Sequence, residues 1–103
     1  MPSDKPNLLL IQADQLKPQV LKSYGGAADT PYLDSLADEG VVFENAYCNF
    51  PLCAPSRFSM LDGMLPSRIG AYDNGADYLA QIPTMAHYLR LAGYHTCLSA
   101  DTV

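Results

Sequence analysis

Asn7-Leu8-Leu9-Leu10-Ile11-Gln12-Ala13, followed at once by Asp14-Gln15, is the stretch on which the fold turns. Four consecutive apolar residues leave no polar face, so the run reads as a strand covered on both sides, the pattern of a parallel sheet flanked by helices. Asp14 then falls at the C-terminal end of that strand, the edge where open α/β sheets gather their ligands. Residues 15–30 are polar and contain Gly25-Gly26, which reads as a loop. Thr30-Pro31 opens a helix, with Thr30 as N-cap and Pro31 in the first helical position. Leu33, Leu36 and Ala37 share one face of it and Gly40 stops it. Val41-Val42-Phe43 begins a second strand that runs to about Tyr47. Strand, helix, strand in this order predicts a right-handed crossover between parallel neighbours.

Farther along, a Cys/Pro-rich turn occupies residues 48–55 and a short helix is predicted from Ser56 to about Leu61. Residues 63–82, punctuated by Gly63, Pro66, Gly70 and Gly75, read as a long irregular stretch. Ile82-Pro83-Thr84 starts another helix, with Met85, Ala86, Tyr88, Leu89 and Ala92 as apolar positions and Gly93 as its stop, and Tyr94 to Ser99 reads as a third strand. Loops this long are uncommon in a compact domain unless they are functional. A third strand with no helix after it is also out of keeping with an α/β unit. Residues 1–103 are therefore expected to be a single partial domain, the N-terminal piece of a larger one, with sheet edges that leave it marginally stable or prone to associate.

Composition bounds the partners. The 103 residues are 49% hydrophobic and 17% charged, which is too apolar for a disordered chain. A net charge of −5 speaks against a nucleic-acid binder, which needs clustered cations. No apolar run is long enough to cross a membrane. Leu8 to Ile11 is too short for the core of a secretory signal, so the cytoplasm is the expected location. Three cysteines with no Cys-x-x-Cys pair do not form a disulfide framework.

The chemistry is concentrated in Pro51-Leu52-Cys53-Ala54-Pro55-Ser56-Arg57. Pro55 disfavours a helical Ala54 and suits a first helical turn, which places Cys53 just before a helix start. Backbone N–H groups and the helix dipole there favour negative charge on a nucleophile or a bound anion. Arg57, one turn on, can reach the same oxygens with a planar fork of donors, and Ser56 is a cap or hydroxyl donor. The plainer reading is a buried turn with Cys53 as inert filler, and an isolated cysteine would favour it. For Asp14 alone the plainer reading is a solvated strand-end carboxylate.

Cys-x-Pro-Ser-Arg as a unit resembles the signature of the sulfatase family, within the alkaline phosphatase superfamily. Leu65-Pro66-Ser67-Arg68, Tyr72-Asp73-Asn74-Gly75-Ala76-Asp77-Tyr78, the Ile82–Arg90 block and Ala92-Gly93-Tyr94 are similar to its choline-sulfatase branch, and the likeness spans residues 7–99. The resemblance implies an α/β fold, the N-terminal part of an alkaline-phosphatase-like sandwich with a mostly parallel central sheet flanked by helices. It implies hydrolysis of O-sulfate esters. Cys53 would be oxidised to formylglycine and hydrated; one hydroxyl would attack sulfur as the ester's S–O bond breaks and the alcohol leaves, and the second would then expel sulfate as the aldehyde re-forms. A divalent cation, usually calcium, would be held by Asp14, Gln15 and the oxygens of converted Cys53. Arg57 would stabilise the diol. Asn74 would contact the substrate, with a turn residue before Gly75 as the equally weighted reading. Implied partners are a small-molecule sulfate ester and a formylglycine-generating enzyme or sulfatase maturase, and the full-length form is implied to be a homo-oligomer.

Departures from the pattern qualify these expectations. Asp14-Gln15 stands where Asp-Asp is commoner, and resembles the branch that also holds phosphonate monoester and phosphodiester hydrolases, the alternative enzyme reading. Leu61-Asp62-Gly63-Met64 replaces Leu-Thr-Gly-Arg, which predicts less efficient maturation. Asp101 stands in place of a sulfate-contacting lysine and Val103 in place of a histidine. A calcium ion takes six to eight oxygens, more than Asp14, Gln15 and Cys53 supply, so these 103 residues are expected to be inactive alone. A non-catalytic truncated remnant, or a small α/β module without chemistry, is the reading outside enzymology. His87 is expected on a helix surface or in a core, His95 as a cap or packing residue, Cys48 and Cys97 as structural, and Arg68 and Arg90 as surface charges.

Overall fold

A computed structural model describes residues 5–99, and its contacts gather into two compact units, one ending at Ala46 and the other starting at Tyr47. In the first unit, the predicted loop after Gln15 is organised by two 3₁₀ turns, Pro18–Val20 and Lys22–Tyr24. The chain then doubles back: the Gly26 N–H donates to the Leu21 carbonyl at 2.8 Å and the Ala28 N–H to the Val20 carbonyl at 3.0 Å. The two backbones approach so closely that a Cβ on Gly26 would lie 2.2 Å from the Val20 carbonyl, so only glycine fits.

Helix α1, Pro31–Glu39, has the bounds that Thr30-Pro31 and Gly40 predict. Its cap differs from expectation, because the Thr30 hydroxyl donates to Asp34 Oδ1 at 3.3 Å and not to a backbone group. Gly40 ends α1 through close approach: a Cβ there would meet the Leu36 carbonyl oxygen at 2.8 Å. The apolar face of α1 and the segment 41–46 line an open hollow of about 420 Å³ with Leu21 and Tyr24, whose hydroxyl donates to the Phe43 carbonyl at 2.8 Å.

The second unit is built on helix α2, Cys53–Asp62, which packs against α3, Pro66–Ile69, and α4, Met85–Leu91. Its small core holds Pro55, Ser59, Pro66 and Ala71, the last 1% exposed. Phe58 of α2 meets Tyr78 edge to face, with ring centroids 4.9 Å apart. The Asn49 amide donates to the buried Ser59 hydroxyl at 2.8 Å and ties the segment before α2 to its middle. The stretch read as irregular thus contains α3. Its signal is Pro66 in the first turn and Gly70 beyond the end in the left-handed conformation. Helix α4 ends in a Schellman motif, with the Gly93 N–H on the Arg90 carbonyl and the Tyr94 N–H on the Leu89 carbonyl.

The three predicted strands are corrected. Among the described residues the one β-bridge joins Leu21 and Ala28, and residues 7–13, 41–47 and 94–99 run without ladder partners. A strand is defined by lateral hydrogen bonds, so an apolar run with no neighbour remains a bare segment. Its side chains stay in solvent: Leu9 is 85% exposed and Leu98 91% exposed. The mostly parallel sheet is therefore not formed among the described residues. No helix there is long and apolar enough to cross a membrane.

Candidate functional site

Cys53 is the first helical residue of α2, not the residue before a helix that begins at Ser56. The helix starts three residues early because Pro55 does not obstruct it. In the first turn a missing N–H removes only a donor that had no intrahelical acceptor. Leu52, the N-cap, is extended, and its carbonyl accepts the first intrahelical bond from the Ser56 N–H at 3.1 Å. Cys53 is exposed, so the pentapeptide presents this thiol instead of burying it as filler. Arg57, also exposed, follows four residues later and shares the Cys53 face of α2.

Asn74 lies in the turn between α3 and α4, and the fold brings it to the start of α2. Its Oδ1 accepts the Ala54 N–H at 3.0 Å, next to Cys53. The turn is itself fixed, since Asp73 Oδ1 accepts the Gly75 N–H at 2.9 Å and the Asp73 carbonyl accepts the Ala76 N–H at 3.3 Å. Asn74 is therefore both a turn residue and a neighbour of the Cys53 backbone.

Asp14 and Gln15 lie in the first unit, exposed, in a turn after residues 7–13. Gln15 has a φ of 53°, left-handed and uncommon for a residue with a Cβ. Among the described residues no group of three or more His, Cys, Asp or Glu could hold a metal ion. Asp14 and Gln15 offer hard oxygen donors that suit calcium in kind, but in number they are only part of its shell. Asp101 and Val103 lie outside the described residues.

Asp62, the departure from the sulfatase pattern, has a structural task. As the last residue of α2 it places a negative charge at the negative end of the helix dipole. Its Oδ1 accepts the Met64 N–H at 2.8 Å and closes the turn at Gly63, while Oδ2 is buried with no hydrogen bond of good geometry. The Tyr78 hydroxyl donates to the Ile82 carbonyl at a long 3.4 Å and faces this carboxylate. Burial first, then the charge and hydrogen bonding of Asp62, push the Tyr78 phenol above its usual value near 10.

His87 is exposed on α4 and belongs to its cap, with Nδ1 accepting the Thr84 N–H at 3.1 Å and lying 2.8 Å from the Thr84 hydroxyl. Arg68 and Arg90 are exposed in the last turns of α3 and α4, where the dipole favours cations. His95 is exposed and begins no strand. Cys97 is exposed, and Cys48 is exposed with its thiol donating to the Phe50 carbonyl at 3.3 Å, so neither is a core cysteine. The cap that His87 forms with Thr84 and the bond from the Ala54 N–H to Asn74 Oδ1 are among the features that sequence reasoning missed. Thr84-x-x-His87 has capping-box spacing, but Asn74 acts across twenty residues and leaves no local signal.

A family model described as Sulfatase matches residues 6–101. Choline-sulfatase of Rhizobium meliloti (strain 1021) is 48% identical over 102 residues, which cover 96% of this chain and 20% of that protein. Arylsulfatase of Clostridium perfringens (strain 13 / Type A) is 41% identical over 95 residues, 89% of this chain and 20% of that protein. N-acetylgalactosamine-6-sulfatase of Homo sapiens is 44% identical over 72 residues, 69% of this chain and 14% of that protein. The chain thus spans a fifth or less of the length of these curated relatives. No solved structure matches it.

Proposed function

From the premise that the chain belongs to the sulfatase family, whose fold is of the α/β alkaline-phosphatase kind, we propose that it is the nucleophile-bearing part of a choline-sulfatase-like sulfuric ester hydrolase. The observation that carries this reading is the exposed Cys53 at the first position of α2, inside Cys-x-Pro-Ser-Arg. Cys53, converted to formylglycine, supplies the attacking oxygen. The N-terminal end of α2 places the positive end of its dipole beside the charge that develops there. Arg57 holds oxygens of the diol or of the transferred sulfuryl group. Asn74, its Oδ1 already engaged, has Nδ2 left to donate to a substrate oxygen.

Asp14 and Gln15 are assigned to a divalent cation, calcium by likeness to the family, as part of a shell that other residues complete. Bound there, such an ion would supply positive charge against the sulfate oxygens. The Asp14-Gln15 pair also favours a second reading, a phosphonate monoester or phosphodiester hydrolase of the same superfamily, because one nucleophile and one cation serve both esters.

Mass spectrometry of the Cys53 peptide, after co-production with a formylglycine-generating enzyme or sulfatase maturase, tests the reading. Conversion of thiol to aldehyde lowers the mass by about eighteen units, and the Cys53→Ala variant shows no such change. An unconverted Cys53 in the presence of an enzyme that converts a control sulfatase would overturn it.

A further inference from the structure

Helix α2 has no cap of its own. Leu52 at the N-cap position offers no side-chain acceptor, and Pro55 has no N–H to receive one. The N–H that a capping oxygen would normally take is then that of Ala54, the second helical residue. Asn74 Oδ1 takes it from twenty residues away, at 3.0 Å. The assignment of oxygen and nitrogen in this amide follows from chemistry, since a backbone N–H only donates. Asn74 sits in the Asp73–Ala76 turn, which has hydrogen bonds of its own that do not involve α2.

We propose that Asn74 is a positioning residue for Cys53: it caps α2 from a distant turn and fixes the backbone that carries the nucleophile. The role of Cys53 as nucleophile rests on the function proposed above; the cap does not. The cap also orients the amide, with its oxygen toward α2 and its nitrogen as the only remaining donor. Asp at this position would keep the acceptor and lose the donor, so capping and substrate contact are separable.

The test is amide exchange and backbone chemical shifts by NMR on the whole chain, in the original sequence and in Asn74→Ala and Asn74→Asp. In Asn74→Ala the Ala54 amide should exchange about fivefold faster, the equivalent of losing one typical cap, and the Cys53 Cα shift should move toward coil. In Asn74→Asp the Ala54 exchange rate should stay within about twofold of the original and the Cys53 Cα shift should not move toward coil, because Asn and Asp cap equally well. If only the Gly75 and Ala76 amides respond to Asn74→Ala, Asn74 is a turn residue alone and the proposal fails. If Asn74→Ala does not fold, Asn74→Asp decides: a retained Ala54 signal supports the cap, and its loss overturns it. Failure of Cys53 to convert would sink the functional reading without touching any of these signals.

Discussion

Single atoms decide much in this chain. Gly26 is required because the Val20 carbonyl occupies the space of any Cβ, so Gly26→Ala should destabilise the first unit by about 1–3 kcal/mol, read as a lower urea midpoint. Tyr78 gives a signed pH dependence. Its raised phenol means that the folded state binds the proton more tightly than the unfolded chain. Its contribution is complete below the unfolded value near 10 and is lost as pH rises through the higher folded value. Melting temperature should therefore fall through that alkaline window. Tyr78→Phe should flatten the fall, and Asp62→Asn should reduce it. None of this was legible in the sequence. Asp62 reads there only as a departure from Leu-Thr-Gly-Arg, because its contact with Tyr78 depends on how residues sixteen apart are brought together.

Helices were legible where their signals are local. Thr30-Pro31 and Gly40 bracket α1, and Gly93 ends α4, because caps and stops act within a turn or two of the residues that specify them. Pro55 misled the reading of α2, since a proline in the first turn is compatible with a helix that has already begun. Helix α3 carried a start and a stop signal but spans only Pro66–Ile69, too short for any periodicity. At α4, His87→Ala should remove the acceptor for the Thr84 N–H and destabilise the second unit by about 0.5–2 kcal/mol in a thermal melt. His87→Gln, which restores a capping-box acceptor, should recover most of that loss.

Among the described residues the apolar runs that read as strands leave large side chains in solvent, among them Leu9, Ile11, Val41, Phe43 and Leu98. Exposed apolar surface drives association, so the isolated chain should self-associate in sedimentation velocity at micromolar concentration and bind a hydrophobic dye; a monomeric, cooperative melt without dye binding would contradict this. Replacing Leu9 and Ile11 together by Thr should lower the association, because it removes apolar area without touching a buried contact. By itself the sequence determined the family signature at Cys53, the bounds of α1 and the stop of α4, since each is written in residues a few positions apart. Only the tertiary structure decided that Cys53 begins α2, that Asn74 caps it and that Asp62 faces Tyr78. It also left the apolar runs unpaired, because pairing and capping at a distance depend on which backbones meet, and no short stretch of residues encodes that.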